Sequence, residues 1–433
     1  MLFHLTNLPI LIIMEAADIP SAAREQLYKD LRARNCRAVF LYVTRSMRSE
    51  DGFTIDIPMT VQEAKRFYQR YSSIALPNRT QQLHELAHSD LMRSYRSPFF
   101  FGLYSFEEEF THVPDFVSAH LAGSTDRVRM VLSYLSLASR FAQASITASI
   151  LRGLLGISQE KPIVLAEVLG EGPARLVLLR DEEAKILHPL IAEEILKQCL
   201  STDSNTNLWR EKLVETSCLF IDEVVDSAGS SSLTIQKLFM PMFVSREPWQ
   251  ERAMTSRQPD RRPHFSELIL AIPNEAGQHR VLLKLKDRCP DEANFWNHLG
   301  RHHIYAMRSK YTEAEQCLKK AVQLDSNNDI HHHALGMVYR FEISNRFNSF
   351  ARRKSDRGNA PENTAFLDIQ DLYVMAEDCF SQARDLDAET EYGYITNIQL
   401  ILEIIEGLYR LSGKQHYADF LSGDGVASEW CRE

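Results

Sequence analysis

Two acidic residues follow an apolar run near the start of the chain. Glu15 and Asp18 come after Leu8–Met14, a continuous apolar run of the kind that forms a strand buried on both faces of a parallel sheet. The next apolar run, Arg37–Val43, leads through a threonine to Arg45. Acids at the end of a buried strand can hold Mg²⁺ or activate water beside a nucleotide, as in a Walker B strand. The pattern therefore indicates nucleotide chemistry; the alternative is that any parallel strand ends in polar residues.

A phosphate-binding loop would decide between those two interpretations, and the sequence contains none. The nearest match runs from Gly407 to Gln415, with one residue too many between its glycines and a glutamine in place of the hydroxyl ligand. Acids alone leave the phosphates without the amides and lysine of such a loop. ATP or ADP with Mg²⁺, and ATP hydrolysis, are therefore expected only if an upstream segment supplies the loop. The chain alone is not expected to be catalytic.

A second candidate for chemistry is the HExxH sequence His84–His88. On a helix it would put two imidazoles on one face for Zn²⁺, with the glutamate as general base. The context is poor, because no histidine follows at the spacing of a third ligand and Asp90 and Arg93 place charges beside a helix that should be buried. Glu107–Glu109 could supply a third ligand but read as an exposed helix face. A zinc protease is the weakest of the alternatives.

Further histidines and a basic segment occur later in the chain. The histidines are His298, His302, His303 and His331–His333. We expect them to form the polar lining of a groove rather than a metal site. The basic residues Arg352–Lys354 with Arg357 are expected to form a solvated loop, or else a contact for an acidic partner.

Composition excludes several classes of protein. The 433 residues include 49 basic and 58 acidic ones, a net charge of −9, so no bulk attraction to nucleic acid or anionic membrane is expected. The seven cysteines never form CxxC, which argues against zinc-ribbon and thioredoxin-like domains and fits a reducing compartment. No apolar run approaches the ~20 residues that span a bilayer. We therefore expect a cytoplasmic protein with neither membrane nor nucleic acid as partner.

The patterns predict a mainly α-helical chain with several domains. Residues 1–76 read as a partial α/β domain in which Thr60 caps a helix, and residues 77–150 read as helical. Within 151–245 we predict a short helix at Leu165–Leu169, strands at Arg175–Leu179 and Lys185–Leu187, and a helix at Pro189–Leu200, which is the outline of a winged helix. Residues 246–264, with three prolines and no apolar period, read as a linker.

Residues 265–433 contain a repeat. Trp296, Leu299 and Gly300 give W-x2-L-G, and the pattern recurs as L-G-x2-Y ending at Tyr339; each copy has a second half of the form A-x3-(L/F)-x2-A. These are the two halves of a tetratricopeptide repeat, an α-solenoid unit. The second copy holds an insert at about 341–369, which we predict to form two overlong antiparallel helices with a polar tip at 354–363.

The order of these parts resembles the STAND class of P-loop NTPases, the large signalling ATPases of immunity and programmed cell death. Within that class it looks most like bacterial antiviral STAND proteins and the animal antiviral proteins that carry a sterile alpha motif. The segments that carry the likeness are LPILIIMEAAD (8–18), RAVFLYVTR (37–45), RSPFFFGLYSFEEEF (96–110), KILHPLIAEEIL (185–196) and NFWNHLGRHH (294–303).

The resemblance implies roles for single residues. Glu15 and Asp18 would be the Walker B acids, Arg45 a sensor on the next strand, and Pro98 a nucleotide contact from the helical domain. His188 would touch the phosphate of bound ADP; the alternative is that it only starts the helix before Pro189. The sequence departs from the family at Met14, where an acid is usual, and in lacking the first part of the NTPase domain.

Together these observations favour the C-terminal switch and sensor portion of a STAND-type NTPase. The repeats would bind a protein ligand, with Trp296, His303, His332 and Tyr339 as expected contacts, and binding would permit formation of a homo-oligomer. The 433 residues would then be the back end of a longer protein. The alternative is a nucleotide-independent tetratricopeptide adaptor whose N-terminal half is only a scaffold.

Overall fold

A computed structural model describes residues 10–15, 21–34, 38–43, 59–106, 110, 112–157, 163–180, 182–201, 208–228, 235–244, 265–307, 310–357, 363–387, 392–412 and 414–422. These residues are mainly helical with few strands, as predicted. The chain divides into two compact units, Met1–Thr111 with Arg246–Pro263, and His112–Ser245 with His264–Glu433. The boundary between the two units after Thr111 falls within residues 77–150, which the sequence predicted to be one helical domain. Within the described ranges, no helix is long and apolar enough to cross a membrane.

The first unit begins with two parallel strands, β1 (Ile10–Glu15) and β2 (Ala38–Val43). Glu15 lies opposite Val43, so both strands end at the same edge of the sheet. The strand pairing expected from the two apolar runs is therefore confirmed. The short segment Phe53–Ile57, which the sequence also predicts to be a strand, lies outside the described residues.

The helices of this unit are α1 (Ser21–Ala33), α2 (Val61–Tyr71), α3 (Thr80–His88) and α4 (Pro98–Phe106), with 3-10 turns at Pro77–Arg79 and Asp90–Tyr95. Thr60 caps α2, as predicted, and the structure shows that it does so through a reciprocal capping box. Its hydroxyl accepts from the Glu63 N–H at 3.3 Å, and its own N–H donates to the Glu63 carboxylate at 2.8 Å. Because hydrogen bonds favour the charged form, the contacts from Thr60 hold the pKa of Glu63 below its ordinary value.

The second unit opens with helices around a small antiparallel sheet. In chain order the elements are α5 (Val113–Leu121), α6 (Asp126–Leu137), β3 (Ile146–Thr147), α7 (Ala148–Leu155), α8 (Leu165–Leu169), α9 (Glu171–Ala174), β4 (Val177–Arg180), β5 (Glu183–Ile186) and α10 (Pro189–Leu200). We call the elements from α6 to α10 the three-stranded region. In space the strand order is β3–β5–β4, so the last strand lies in the middle. The turn between β4 and β5 uses Glu182 with φ +66°.

The core of the three-stranded region forms where the sheet meets helices. Ala184 and Ile186 alternate with more exposed residues along β5 and are buried, as the period of a half-covered strand requires. Ile191 and Ile195 of α10 are fully buried one turn apart. The predicted short helix at Leu165–Leu169 and the helix at Pro189–Leu200 are found at those bounds.

The remainder of the second unit is helical. Its elements are α11 (Leu208–Ala228), a π-helical segment (Ile235–Val244), α12 (Glu267–Ala271), α13 (Glu275–Arg288), α14 (Ala293–Tyr305), α15 (Tyr311–Leu324), α16 (Asp329–Arg357), α17 (Asn363–Leu386), α18 (Tyr392–Ser412) and α19 (Tyr417–Leu421). We call α14 to α18 the hairpin region, because α14 packs on α15 and α16 packs on α17. The long pair α16 and α17 confirms the two overlong helices predicted for the insert.

Two glycines explain why the paired helices approach so closely. A Cβ atom on Gly300 would lie 2.6 Å from Cγ of Leu318, and one on Gly336 would lie 2.5 Å from the ring of Phe380. Leu318 and Phe380 are themselves fully buried, so neither can move aside cheaply. The small residues of the sequence pattern therefore sit where helix meets helix, and the large residues fill the space beside them.

Candidate functional site

The predicted nucleotide residues of the first unit are described only in part. Glu15 is the last residue of β1, at the edge where β2 also ends. Asp18 and Arg45 lie outside the described residues. The parallel pairing of β1 with β2 brings the carboxyl ends of these two strands together.

Pro98 is the first residue of α4 and is exposed. Its position depends on Arg96, whose side chain is 2% exposed. The Arg96 guanidinium donates to the backbone oxygens of Leu86 at 3.2 Å and Ser89 at 2.8 Å, which ties α4 to the end of α3. The bonds of Arg96 thus fix the start of α4, where Pro98 is exposed to solvent. A contact from Pro98 to a nucleotide stays a prediction.

The HExxH histidines lie on the outer face of α3. His84 and His88 are both exposed, and their rings stack with centroids 4.1 Å apart. Tyr68 of α2 meets each ring edge-on, at 5.5 Å and 5.7 Å between centroids. Nδ1 of His88 lies 2.9 Å from the backbone oxygen of His84, so that nitrogen is used within the helix. Among the described residues, no group of three or more His, Cys, Asp or Glu side chains is placed to hold a metal ion.

His188 is the N-cap of α10, and its ring is half-buried. Its Nδ1 accepts the backbone N–H of Leu190 at 3.2 Å. A neutral imidazole that accepts at Nδ1 carries its proton on Nε2. His188 therefore starts the helix before Pro189, and its contact with the phosphate of ADP stays a prediction. The same bond fixes the ring in the tautomer whose second nitrogen is an N–H donor.

The four predicted ligand contacts of the hairpin region are largely engaged within the protein. The Trp296 indole donates to the backbone oxygen of Pro290 at 2.7 Å and is half-buried. His332 is buried, with Nε2 at 2.9 Å from the backbone oxygen of Ser326. Tyr339 is also buried, and its hydroxyl donates to Glu315 at 2.9 Å. Their role as ligand contacts stays a prediction.

The fourth predicted contact, His303, is buried and belongs to a group that we call the histidine cluster: His302 and His303 of α14, Phe265, and the half-buried His279 of α13. The His279 ring lies 5.1 Å from that of His303 and 5.9 Å from that of His302, and Phe265 lies 5.6 Å from His302. Burial, together with the charge that His279 would carry, lowers the pKa of both His302 and His303 to about 4. His302 and His303 are therefore uncharged at neutral pH, and Nε2 of His302 lies 3.3 Å from the side-chain oxygen of Gln278.

A polar row crosses from α16 to α18 and has exposed members. The Arg340 guanidinium donates to Gln399 at 2.8 Å and forms a two-pronged ion pair with Glu403. Ser344 donates to the same carboxylate at 3.0 Å, and Gln399 is exposed. One turn away, His333 contacts Thr396 at 3.0 Å. This row was not predicted from the sequence, because its partners lie about 60 residues apart.

The three-stranded region and the helices that precede the hairpin region are joined by Arg140. This residue follows α6, and its guanidinium contacts Glu193 of α10 at 3.0 Å and Glu267 of α12 at 2.7 Å. All three side chains are about a quarter exposed or less. Burial opposes the charge of Arg140, but the hydrogen bonds to Glu267 and Glu193 outweigh it and raise the pKa of the guanidinium. We call this group the Arg140 clamp.

A second group of ion pairs joins two helices that lie between the three-stranded region and the hairpin region. Lys284 of α13 lies 2.9 Å from Asp222 of α11, and Arg288 pairs with both Asp222 and Asp226. A Cβ on Gly277 would lie 2.6 Å from Val214, so α13 packs directly on α11. No part of this junction could be read from the sequence, since Arg140 and Glu267 are 127 residues apart.

No protein-family model matches the chain, and no curated protein matches it.

Proposed function

We propose that the chain is the switch and sensor portion of a STAND-type signalling or defence NTPase, in which the hairpin region binds a protein ligand. The observation that carries the proposal is the Arg140 clamp. It ties α10, the helix that begins at His188, to α12, which leads into the hairpin region. If a ligand shifts the hairpins, the contacts of the Arg140 clamp would transmit that shift to α10. The free energy of ligand binding would then depend on the position of α10.

The arrangement of the three-stranded region supports the winged-helix part of this proposal. Its order of helix, strand, three helices (α7 to α9) and two strands, with the last strand between the other two, resembles the arrangement of a winged helix. Such a domain would present His188 at the start of α10. The neutral ring carries a proton on Nε2, which is a donor suited to a phosphate oxygen.

The donor set described for the first unit does not by itself cradle a nucleotide. Glu15 supplies one carboxylate at a strand end, and phosphates bind through backbone amides and a lysine. ATP or ADP with Mg²⁺ would bind here only if a phosphate-binding loop on another segment completed the site.

The ligand would meet the hairpin region along the polar row. Its side chains lie on α16 and α18, the first helices of successive pairs, and first helices line the groove of a tetratricopeptide array. Gln399 is the exposed member of the row. A protein with both acidic and basic side chains fits this surface, because Arg340 and Glu403 already pair with each other there.

The test is affinity enrichment from cell extract with the intact chain as bait, against two matched variants. Gln399→Arg places a charge in the polar row. Gln323→Arg is the control, since Gln323 is also an exposed glutamine that accepts a bond from a basic side chain, Lys320 at 3.1 Å, but on α15. We expect one protein to be retained by the unchanged chain and by Gln323→Arg, and lost with Gln399→Arg. Equal retention by all three contradicts binding along this row.

A nucleotide-independent adaptor is the second candidate, and one observation favours it. His188 is satisfied as a helix cap without any nucleotide. The coding sequence upstream of Met1 separates the two functions. An in-frame strand followed by GxxxxGK[ST] supports the switch, and a stop codon directly upstream supports the adaptor.

A further inference from the structure

A single π-helical turn, Ala138–Ala142, follows α6, and we call it the π-turn. The N–H of Gln143 donates to the backbone oxygen of Ala138, five residues earlier, and Gln143 has a φ of +52°. A left-handed backbone at a residue other than glycine costs free energy, and π-helical turns frequently occur at functional sites. Such a turn persists only where its surroundings hold it, and three other elements contact its side chains.

Two successive residues of the π-turn hold the chain on either side of His188. The Ser139 hydroxyl accepts the backbone N–H of Ile186 in β5 at 2.9 Å. The Arg140 guanidinium pairs with Glu193 of α10 at 3.0 Å. Ile186 precedes His188 by two residues, and Glu193 follows it by five. The π-turn therefore fixes both ends of the short segment that carries His188.

The bond between Ile186 and Ser139 takes the place of a ladder bond in the sheet. In the register of β5, the neighbouring strand β3 reaches only as far as Ala184, so it ends before Ile186. Ile186 is 2% exposed and Ser139 is 5% exposed. A buried backbone N–H without an acceptor is costly. The Ser139 hydroxyl therefore holds the end of β5 where the sheet itself does not.

The π-turn is also joined to α12, the helix that leads into the hairpin region. The Arg140 guanidinium contacts Glu267 of α12 at 2.7 Å, and the π-turn packs against the π-helical segment Ile235–Val244. Ser139 and Arg140 are linked by one peptide unit, which is planar and rigid. A displacement of α12 that pulls on Arg140 therefore also acts on Ser139, and through it on the end of β5.

We propose that Ser139 is a positioning residue for His188, and that the π-turn makes the position of His188 depend on that of α12 through the Ser139 hydroxyl. Since Ser139 would be the contact by which a shift of α12 reaches His188, this role rests on the proposed switch. Its test uses neither ligand nor nucleotide. Loss of ligand binding with Gln399→Arg and loss of positioning with Ser139→Ala are therefore separate results, and either can fail while the other holds.

Hydrogen exchange at single backbone amides tests the positioning, measured by NMR on the intact chain labelled with ¹⁵N-isoleucine and ¹⁵N-leucine. The Ile186 amide reports the bond to Ser139, and the Leu190 amide reports the position of His188, whose Nδ1 is its acceptor. In Ser139→Ala we expect the Ile186 amide to exchange about ten-fold faster, since a buried donor loses its acceptor. The Leu190 amide should exchange about three-fold faster, because His188 is then held from one side only.

Three further variants separate this effect from general destabilisation. Ser136→Ala is the matched control and should change neither amide, because the Ser136 hydroxyl is also buried, one turn earlier, and has no hydrogen-bond partner among the described residues. Ser139→Thr keeps a hydroxyl and should restore slow exchange of the Ile186 amide. Gly336→Ala destabilises the same unit from within the hairpin region and should leave both amides unchanged.

A double-variant cycle tests the link to α12. Glu267→Gln weakens the hold of α12 on Arg140 and should speed exchange of the Ile186 amide about three-fold. In a chain that already carries Ser139→Ala, it should add nothing at this amide, because the transmitting contact is gone. Glu275→Gln is the control and should have no effect in either chain, since Glu275 also lies in the first turn of a helix but on α13.

Two results overturn the proposed role of Ser139. One is a Leu190 amide that Ser139→Ala leaves unchanged, or that Gly336→Ala speeds equally, because either would show that Ser139 does not position His188. The other is an effect of Ser139→Ala with Glu267→Gln on the Ile186 amide equal to the product of the two single effects. That product would show that α12 and Ser139 act independently.

Discussion

The helices α3 and α14 both carry paired histidines and place them in opposite environments. On α3, His84 and His88 are exposed and stack on each other. On α14, His302 and His303 are buried against α13. The histidines of α3 belong to a recognised metal-binding sequence, HExxH, yet it is the histidines of α14 that are buried. Spacing decides which side chains share a direction; the neighbouring helices decide whether water reaches them.

The largest expected effect is a fall in the unfolding free energy at acid pH, caused by His302 and His303 of the histidine cluster. The pKa of His302 and of His303 is about 4 in the folded chain, below the ordinary value of 6.5. The unfolded chain therefore binds protons first as the pH falls. The stability from these neutral rings is complete above pH 6.5 and is lost between pH 6.5 and 4. At pH 5 the lowered pKa reduces the unfolding free energy by about 2 kcal/mol for one histidine, and by less than twice that for the pair, because part of the shift at His302 comes from the charge on His303.

Urea unfolding of the second unit at pH 7.5 and pH 5 measures this loss. The double variant His302→Gln with His303→Gln serves as control, because it removes both titrating rings. It should be less stable at pH 7.5 but show a smaller difference between the two pH values. A difference as large as in the unchanged chain would show that other groups cause the acid sensitivity.

The next prediction compares the change in stability when one glycine of each unit is replaced by alanine. Gly336→Ala should destabilise the chain by about 2 kcal/mol, because its Cβ would lie 2.5 Å from the buried ring of Phe380. Gly102→Ala on α4 should instead stabilise by about 0.5–1 kcal/mol, since nothing lies within 4 Å of its Cβ and alanine is the better helix former. Thermal unfolding of both variants checks the signs. The same sign for both would contradict the close helix approach in the hairpin region.

A third histidine environment gives a smaller effect. His188→Ala removes the side-chain acceptor for the Leu190 N–H and should destabilise the second unit by about 1 kcal/mol. His188→Asn supplies another good cap and should recover most of that loss. If asparagine is as destabilising as alanine in urea unfolding, the ring of His188 does more in the free chain than cap α10.

The smallest effect is expected on α3. His84→Gln with His88→Gln should change the unfolding free energy at pH 7.5 by less than about 0.5 kcal/mol, because both rings are exposed. The metal content of the purified chain is measured alongside. Stoichiometric zinc that disappears in the double variant would revive the zinc-protease alternative and break the contrast between the two helices.

Local sequence patterns predicted much of the fold. Caps and periodicity act over a few residues, and they predicted the cap at Thr60, the helix Leu165–Leu169 and the long pair α16 and α17. The strand pair of the first unit followed from two apolar runs. These features need no knowledge of distant neighbours.

The candidate site was less predictable, because its contacts join distant parts of the chain. The histidines His303 and His332 read as groove residues, but packing by α13 and by the loop at Ser326 buries them. The Arg140 clamp has no local pattern at all, since any of many acids could have met that guanidinium. A charged residue is ordinary in sequence and becomes informative only when its burial is known.

The most direct test of the central claim is hydrogen exchange in Glu183–Leu200, measured on the intact chain with and without the protein that the polar row retains. We expect ligand binding to change exchange in β5 and α10, and Arg140→Gln to abolish that change while ligand binding persists. Exchange in this segment that is identical with and without ligand would contradict the proposed coupling between the hairpin region and the three-stranded region.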